Sequence, residues 1–306
     1  MQFSVKAPAS SANLGPGFDA IGIALDLWNT VTIDTDGPAG EVTNSGSEGA
    51  LLEGRENLTI KAMKTLAREF GKPLPDFALH AETEIPIARG LGSSAAALVA
   101  GLVAANHLLD LNLSQEEIFA RVWRIEGHGD NVGAALYGGA ILAVPGVPYA
   151  TRLWAGEDRG YTSVVFIPEE TGATWAARAA LPTELPHADA AFNVATASGL
   201  AVGLLTGDAT LIGASMNDKL HEPYRARLFT HLTALKAAAK EAGAIGACLS
   251  GAGPTVLALV APERVDAVLA AMESAAATCG TSGRALHLPP TAQGATLAVT
   301  DLVTAE

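Results

Sequence analysis

The sequence predicts an α+β protein of two lobes, and three observations carry that reading. Its 306 residues, 49% of them hydrophobic and 17% charged, supply enough apolar side chains for two packed cores or one extended core. Stretches that alternate apolar and polar residues, such as Phe77 to Ile85, are interleaved with stretches at helical spacing, such as Asn57 to Phe70. From about Tyr149 the composition turns polar and turn-rich, T-R-L-W-A-G-E-D-R-G, before a new apolar run at Thr162 to Ile167. That change places the lobe boundary near residue 155, giving lobes 1–155 and 156–306.

Taken in order, Phe3, Val5 and Ala7 alternate as in a strand and carry no apolar signal core, so export is not expected and a cytoplasmic location is. Pro8 to Asp26 reads as a glycine-rich loop presenting polar side chains, fixed by that strand and by a second at Leu27 to Asp34. Glu41 to Glu56 is polar and turn-rich. Leu58, Ala62, Leu66 and Phe70 share one helix face, and Gly71 stops that helix. Phe77 to Ile85 is a strand with Glu82 and Glu84 on its wet face. It delivers the chain to Pro86 to Ala96, P-I-A-R-G-L-G-S-S-A-A, which opens a helix former, Ala95 to Leu109. Ser114 to Ile125 is a second helix that starts with a capping box, Ser114 and Glu117. Polar groups then crowd Arg124 to Asn131 ahead of an apolar strand, Ala140 to Val144. In the second lobe Thr162 to Ile167 is a strand, and Asn193 to Leu205 and Leu232 to Ala242 are helices. Ala247 to Val260 is two apolar strands around a glycine turn, Ala261 to Ala276 a closing helix with Pro262 early in it, and Ala295 to Val299 a final strand.

A formal charge of -13, with only 19 Lys plus Arg, argues against nucleic acid and anionic membrane surfaces as partners, because both require basic patches. Cys248 and Cys279 are too few for a disulfide scaffold or a structural zinc site, which fits a reducing compartment. Three uncharged runs, Gly90 to Leu109, Val132 to Thr151 and Gly243 to Pro262, approach membrane-spanning length. Each is interrupted by polar or helix-breaking residues, so each reads as buried core.

Pro86 to Ala96 carries the first functional argument. A glycine-serine turn opening a long helix presents free N–H groups and the positive end of the helix dipole, which suits phosphate. G-x-G-x-x-A also matches a dinucleotide fingerprint, with Asp110 near the offset of a ribose-binding acid. That acid should end a second strand, and the helix former before Asp110 leaves no room for one. No glycine-lysine-serine or glycine-lysine-threonine triplet occurs, so a Walker loop is excluded as well. Ser93 and Ser94 add hydroxyls able to cap the helix, hold phosphate oxygens or ligate Mg²⁺.

The pattern P-x-x-x-G-L-G-S-S-A-A resembles the phosphate loop of the galacto-, homoserine, mevalonate and phosphomevalonate (GHMP) kinases. Five segments from Pro8 to Val260 match this superfamily in order, several of them in the form found in its homoserine kinases. S-A-N-L-G-x-G-F-D is similar to the first motif, which implies that Asn13 and Asp19 line an amino-acid pocket. E-G-H-x-D-N-V-x-x-x-L-x-G-G resembles the segment supplying a Mg²⁺-binding glutamate and an acceptor-side asparagine, roles that fall to Glu126 and Asn131, with His128 beside the substrate. Here Gly129 stands where many relatives have proline. T-W-A-A-R-A-A-L resembles the segment whose Thr174 and Arg178 hold the substrate carboxylate, and M-N-D-K-L-H-E-P-Y-R makes Arg225 the second carboxylate arginine. A-C-L-S-G-A-G-P-T-V-L-A-L-V resembles the third motif.

The resemblance implies a GHMP kinase fold, with an N-terminal ribosomal-S5-domain-2-like, nucleotide-binding lobe and a C-terminal ferredoxin-like α/β sandwich lobe. It implies ATP-dependent phosphorylation of the side-chain hydroxyl of L-homoserine, giving O-phospho-L-homoserine for threonine biosynthesis. A mevalonate or sugar kinase of the same fold is the alternative, and a ligand-sensing protein without turnover is a third reading, opposed by Ser93, Ser94 and Glu126. The expected ATP site is Pro86, Ile87, Ala88, Arg89, Gly90, Leu91, Gly92, Ser93, Ser94, Ala95 and Ala96. Ser94 and Glu126 are expected to hold Mg²⁺ and, with Asn131, to be catalytic. Substrate contacts are expected from Asn13, Asp19, His128, Asn131, Thr174, Arg178 and Arg225: an anion for the ammonium, arginine forks for the carboxylate, and Asn131 for the hydroxyl. Phosphoryl transfer rests mainly on positioning and charge neutralisation. No strong protein base is therefore expected, although Asp130 is adjacent. A homodimer is a further expectation from the family.

Overall fold

The computed structural model describes residues 1–156 and 158–300. β1 (Gln2–Ala12) and β2 (Ile21–Asp34) form a long antiparallel pair in which Phe3 faces Ile33 and Val5 faces Val31. The register shifts between Pro8 and Ala9, where a residue without an N–H is tolerated. The loop expected from Pro8 to Asp26 is therefore much shorter, covering only residues 13–20. Ala9, Ser10, Ser11 and Ala12 have weak strand propensity, yet all are buried, and burial decides their conformation.

β3 (Val42–Ser45) lies in the polar segment after β2. α1 (Leu58–Glu69) starts under Asn57, whose side chain accepts the Ile60 N–H at 3.0 Å, and buries Ala62, Met63 and Leu66. Phe70, expected on that buried face, is instead exposed just past the helix end, with the Arg121 guanidinium 5.2 Å above its ring. β4 (Ala78–Thr83) pairs antiparallel with β2 and parallel with β3. α2 (Ser93–Leu108) is buried along most of its length, and α3 (Gln115–Glu126) carries the expected capping box.

α4 (Asp130–Tyr137) was not foreseen among the polar residues of its segment; after its first turn it is buried from Val132 to Tyr137. β5 (Ala140–Ala143) pairs with β2, and β6 (Ala150–Trp154) pairs with β5. The turn-rich reading after Tyr149 thus missed a strand. In β6 the exposed Thr151 and Arg152 sit between Ala150 and Leu153, which are buried.

β7 (Thr162–Pro168) begins the second sheet. Helices α5 (Thr174–Ala179), α6 (His187–Thr206), α7 (Ala209–Ser215), α8 (Glu222–Arg225) and α9 (Leu232–Glu241) follow. β8 (Gly246–Leu249) and β9 (Val256–Val260) flank the glycine turn. α10 (Val265–Thr278) follows a single 3₁₀ turn at Pro262–Arg264, and β10 (Gly283–His287) and β11 (Thr296–Thr300) complete the described chain.

The second sheet has the order β10-β7-β9-β8, all antiparallel. Its alternating side chains serve two cores. Val164, Phe166, Val256, Ala258 and Val260 pack with α9 and α10, whereas Val165, Ile167, Leu257 and Leu259 join the core of the first sheet. The first sheet has the order β11-β1-β2-β4-β3, with β5 and β6 added beside β2. Its edge strand β11 comes from the far end of the chain, pairing Phe3 with Val299 and Val5 with Leu297. Of the three uncharged runs, the first is the core helix α2 and the others are α4 to β6 and the β8–β9 hairpin. Among the described residues α6 alone is long and apolar enough to cross a membrane, with Asn193, Leu200, Gly203 and Leu204 buried against the body of the protein.

Candidate active site

One cavity of about 440 Å³ is lined by every residue from Pro86 to Ala96 and by Asn13, Asp19, Glu126, His128, Asn131, Thr174, Arg178 and Arg225. The fold therefore brings all the sequence-predicted residues to one space.

The glycine-rich turn forms its floor. Gly92 caps α2 in the left-handed region, φ 72°, and among the described residues no side-chain hydrogen bond caps the N–H groups it leaves free. Those N–H groups are available to an anion. A Cβ at Gly92 would lie 2.1 Å from Ser10 Oγ, and one at Gly90 would lie 2.3 Å from the Ser250 carbonyl oxygen. Both lobes hold this turn. From the first, Ser10 N–H donates to the Leu91 carbonyl at 3.0 Å. From the second, the Ser250 hydroxyl donates to the Gly90 carbonyl at 2.6 Å and Gly172 N–H donates to the Ala88 carbonyl at 2.7 Å. Arg89 spends its guanidinium on this brace: Nε and Nη2 donate to the Pro168 and Glu169 carbonyls at 3.0 Å each, and Nη1 donates to Glu48 at 3.1 Å.

α2 and the end of α3 place the Ser94 hydroxyl 3.3 Å from Glu126 Oε2. Burial pushes the Glu126 carboxyl above its ordinary range, against the smaller opposing effects of His128 and Ser94. His128 sits between two carboxylates, with Nδ1 2.8 Å from Asp130 Oδ1 and Nε2 3.9 Å from Glu126 Oε1. Burial opposes its charged form, yet the Asp130 hydrogen bond and the charges of Asp130, Glu126 and Asp19 hold its pKa above the usual value. Asp130, at the first turn of α4, also accepts the Asn131 N–H at 2.7 Å. Asn131 Oδ1 accepts the Ser10 hydroxyl at 2.9 Å, which leaves its amide N–H groups to donate. A hydroxyl beside a half-buried carboxylate is a hard-oxygen donor set that suits Mg²⁺.

The acceptor end is built from both lobes. Asn13, Leu14 and Asp19 all have positive φ, a tight loop that Asn13 holds by accepting the Asp19 N–H at 3.0 Å and donating to the Gly251 carbonyl at 2.9 Å. Arg178, on α5, donates to both carboxylate oxygens of Asp19, Nη1 at 3.1 Å and Nη2 at 2.8 Å. The sequence assigned these two residues to opposite ends of a substrate; in this structure they are paired with each other. Arg225 is buried, giving Nε to the Ala177 carbonyl at 3.2 Å and Nη1 to the Gly251 carbonyl at 3.0 Å. Burial first, and then the like charge of Arg178, lower its pKa to about 10. Thr174 opens α5 at the cavity rim.

Four residues in or behind this site carried no signal of their own in the sequence. Ser10 and Ser250 are buried serines that sequence reading gives to a loop and a turn. Phe18 lies beneath both arginines, 5.6 Å from Arg178 and 5.4 Å from Arg225. His221 donates Nε2–H to the Gly15 carbonyl at 2.7 Å, so its Nδ1 accepts from Arg225 Nη1 at 3.3 Å.

A glycine-rich turn at a helix N-terminus, with a carboxylate–hydroxyl pair beside it in a cavity closed by two lobes, is the arrangement of a small-molecule kinase. Residues 57–139 match the GHMP kinases N terminal domain, and residues 200–278 match GHMP kinases C terminal. The chain is 41% identical over 295 residues to the homoserine kinase of Microchaete diplosiphon, covering 95% of this chain and 96% of that one. With the homoserine kinase of Deinococcus radiodurans the identity is 41% over 296 residues, 95% of each chain. The crystal structure of homoserine kinase from Cytophaga hutchinsonii superposes with a TM-score of 0.83 at 28% identity, covering 97% of both chains. The chain belongs to the GHMP kinases and, within them, to the homoserine kinase family.

Proposed function

We propose that the protein transfers the γ-phosphoryl group of ATP to the side-chain hydroxyl of L-homoserine, forming O-phospho-L-homoserine, a step of threonine biosynthesis. The observation that carries this reading is the meeting, in one cavity, of an uncapped glycine-rich helix N-terminus with one aspartate and two arginines. A sugar or a hydroxy acid has no ammonium to place on Asp19, so an amino-acid acceptor is favoured over the mevalonate and sugar readings.

In the mechanism, the free N–H groups at the start of α2 hold the ATP phosphates. Ser94 and Glu126 would hold Mg²⁺, which supplies charge neutralisation at those phosphates. Asp19 receives the substrate ammonium, while Arg178 and Arg225 receive its carboxylate, with Asn13 and Thr174 bounding that end. Asn131 donates to the hydroxyl oxygen and orients it for in-line attack. Asp130 is occupied by His128 and by the Asn131 N–H. It therefore serves to hold the segment, and the hydroxyl proton passes late to the transferred phosphate. Residues 1–155, joined by the edge strand β11, act as the nucleotide-binding lobe and the rest of 156–306 as the second lobe, in a cytoplasmic homodimer without nucleic-acid or membrane partners.

ADP release with homoserine and Mg·ATP, compared with galactose and mevalonate, tests the reading. Turnover with homoserine alone is expected. Arg178→Ala and Arg225→Ala should raise the homoserine KM, and an unchanged KM would remove the carboxylate assignment. Loss of several orders of magnitude in kcat by Asp130→Asn, with substrate binding intact, would instead make Asp130 the base.

A further inference from the structure

A second cavity, of about 230 Å³, lies where α1, α2 and α3 meet, and it shares no lining residue with the first. Its floor is made by Leu66 and Leu102, both buried, and by the half-buried Ile125. Glu69, Arg121 and Arg124 stand around that floor, so two guanidinium groups share one carboxylate. Arg121 donates Nε to Glu69 Oε1 at 3.0 Å and Nη1 to the Glu117 carbonyl at 2.8 Å, which spends its fork. Arg124 comes no closer than 3.5 Å to Glu69 Oε2, its side chain is 68% exposed, and no other acid pairs with it among the described residues. α1 adds Lys61, Lys64 and Arg68 against Glu69 alone, an excess of positive charge on a chain whose net charge is -13. We propose that this cavity is a control site for a small monocarboxylate with an apolar chain. The carboxylate pairs with Arg124, the chain covers the leucine and isoleucine floor, and occupancy is felt at Glu126.

The charge count selects the ligand. With Arg121 and Glu69 left in place, one added carboxylate gives each arginine its own anion. A phosphate dianion would bring a second negative charge toward Glu69, and the apolar floor offers it no donor. The volume lies below the ~300 Å³ at which pockets for drug-sized ligands begin, so the occupant is a small metabolite. The link to the catalytic centre is made by helix position and rests on the reading of Glu126 as a metal ligand. Glu126 shares the last turn of α3 with Arg124 and Ile125. α1 and α2 form a fixed wall: a Cβ at Gly101 would lie 2.4 Å from the Thr59 carbonyl oxygen, so their backbones already touch. Beyond Glu126 the chain turns at Gly127, φ 93°, where an added Cβ meets nothing within 4 Å. The end of α3 is thus the wall with room to move. A ligand that fastens Arg124 and Ile125 to α1 and α2 holds Glu126 beforehand, and metal binding then has less to order. Such coupling is reciprocal, so the loaded active site should tighten the carboxylate by the same factor.

Amide-resolved NMR titration of the full chain tests the site, with 4-methylpentanoate, acetate and 4-methylpentan-1-ol as probes. 4-Methylpentanoate is expected to bind with a dissociation constant on the order of 1 mM and to shift the amides of Thr65 to Glu69 and Arg121 to Glu126. Acetate lacks the chain and should bind at least about tenfold more weakly. The alcohol lacks the charge and should bind roughly fivefold more weakly, the upper range of a part-exposed ion pair. Arg124→Gln should weaken 4-methylpentanoate to the level of the alcohol, and Arg124→Lys, which keeps the charge, by less. Thr65→Phe fills the cavity from its edge and should abolish the shifts, and basal kcat should be unchanged in all three variants. Saturating Mg·ADP should tighten 4-methylpentanoate about fivefold, the lower end of allosteric coupling, and the gain should vanish in Glu126→Gln. Shifts confined to the first cavity, acetate binding as tightly as 4-methylpentanoate, or equal affinity with and without Mg·ADP would each overturn the proposal. Failure of Mg·ADP itself to bind, seen in the same spectra, would strike the proposed function instead.

Discussion

The Ser10 hydroxyl donates to Asn131 Oδ1 at 2.9 Å, linking β1 to the first turn of α4 across 121 positions of sequence. One acceptor of the amide is thereby used up, which leaves the amide N–H groups to donate. Ser10→Ala is expected to lower kcat by about tenfold to a hundredfold, as misorientation at a reacting centre does, with little change in the homoserine KM. Steady-state kinetics with homoserine varied at saturating ATP measure that split.

The same contact depends on Gly92. A methyl group there would meet Ser10 Oγ at 2.1 Å and Asn131 Oδ1 at 3.2 Å, on a residue with φ 72°. Gly92→Ala should therefore cut kcat/KM for ATP by roughly a hundredfold or more. Gly71→Ala provides the contrast, since φ is 63° there but a Cβ meets nothing within 4 Å. It should cost about 1 kcal/mol in urea unfolding, from backbone strain alone, and leave kinetics unaltered.

His221 gives a pH dependence of known sign. Burial is the largest influence and lowers its pKa, assisted by Arg225 and opposed by Asp218 and Glu222. Below the ordinary value of about 6.5 the unfolded chain takes up a proton that the folded protein refuses. Stability from this group is thus complete above about pH 6.5 and falls as the pH drops toward the folded pKa. Urea unfolding at about pH 7.5 and 5.5 should show a smaller difference for His221→Gln than for the wild type.

Cys248 is fully buried, and burial pushes its thiol well above the usual range, whereas Cys279 is exposed. A thiol-disulfide reagent should label one cysteine per folded chain, Cys279, and two after denaturation. Rapid labelling of Cys248 in the folded protein would contradict this packing.

Much of this architecture was legible in the residues. Pro86 to Ala96 announced a tight turn opening a helix because glycines, serines and a helix former are each needed there for a local reason. The Ser114 and Glu117 box and the alternation of β4 are similarly local. What escaped the sequence was set by tertiary contact. α4 contains Gly133 and follows two more glycines, so its propensity is poor, and it is a helix because Val132, Ala135 and Leu136 are fully buried. Ser10 looks like any loop serine until Gly92 and Asn131 arrive beside it. Asp19 and Arg178 were each recognised, but their pairing over 159 positions is a product of how the lobes meet.

β11 gives the order of strands in the first sheet a meaning for biosynthesis. The edge of β1 from Gln2 to Lys6 is covered by Thr296 to Thr300. A ribosome making roughly 5–20 residues each second needs on the order of ten seconds to go from the end of β6 to that covering strand. During that interval the nascent first lobe holds an unpaired strand edge to its surroundings, open to any other extended chain. The lobe translated first is in this sense completed last, and a fragment ending near residue 155 would keep that edge bare permanently.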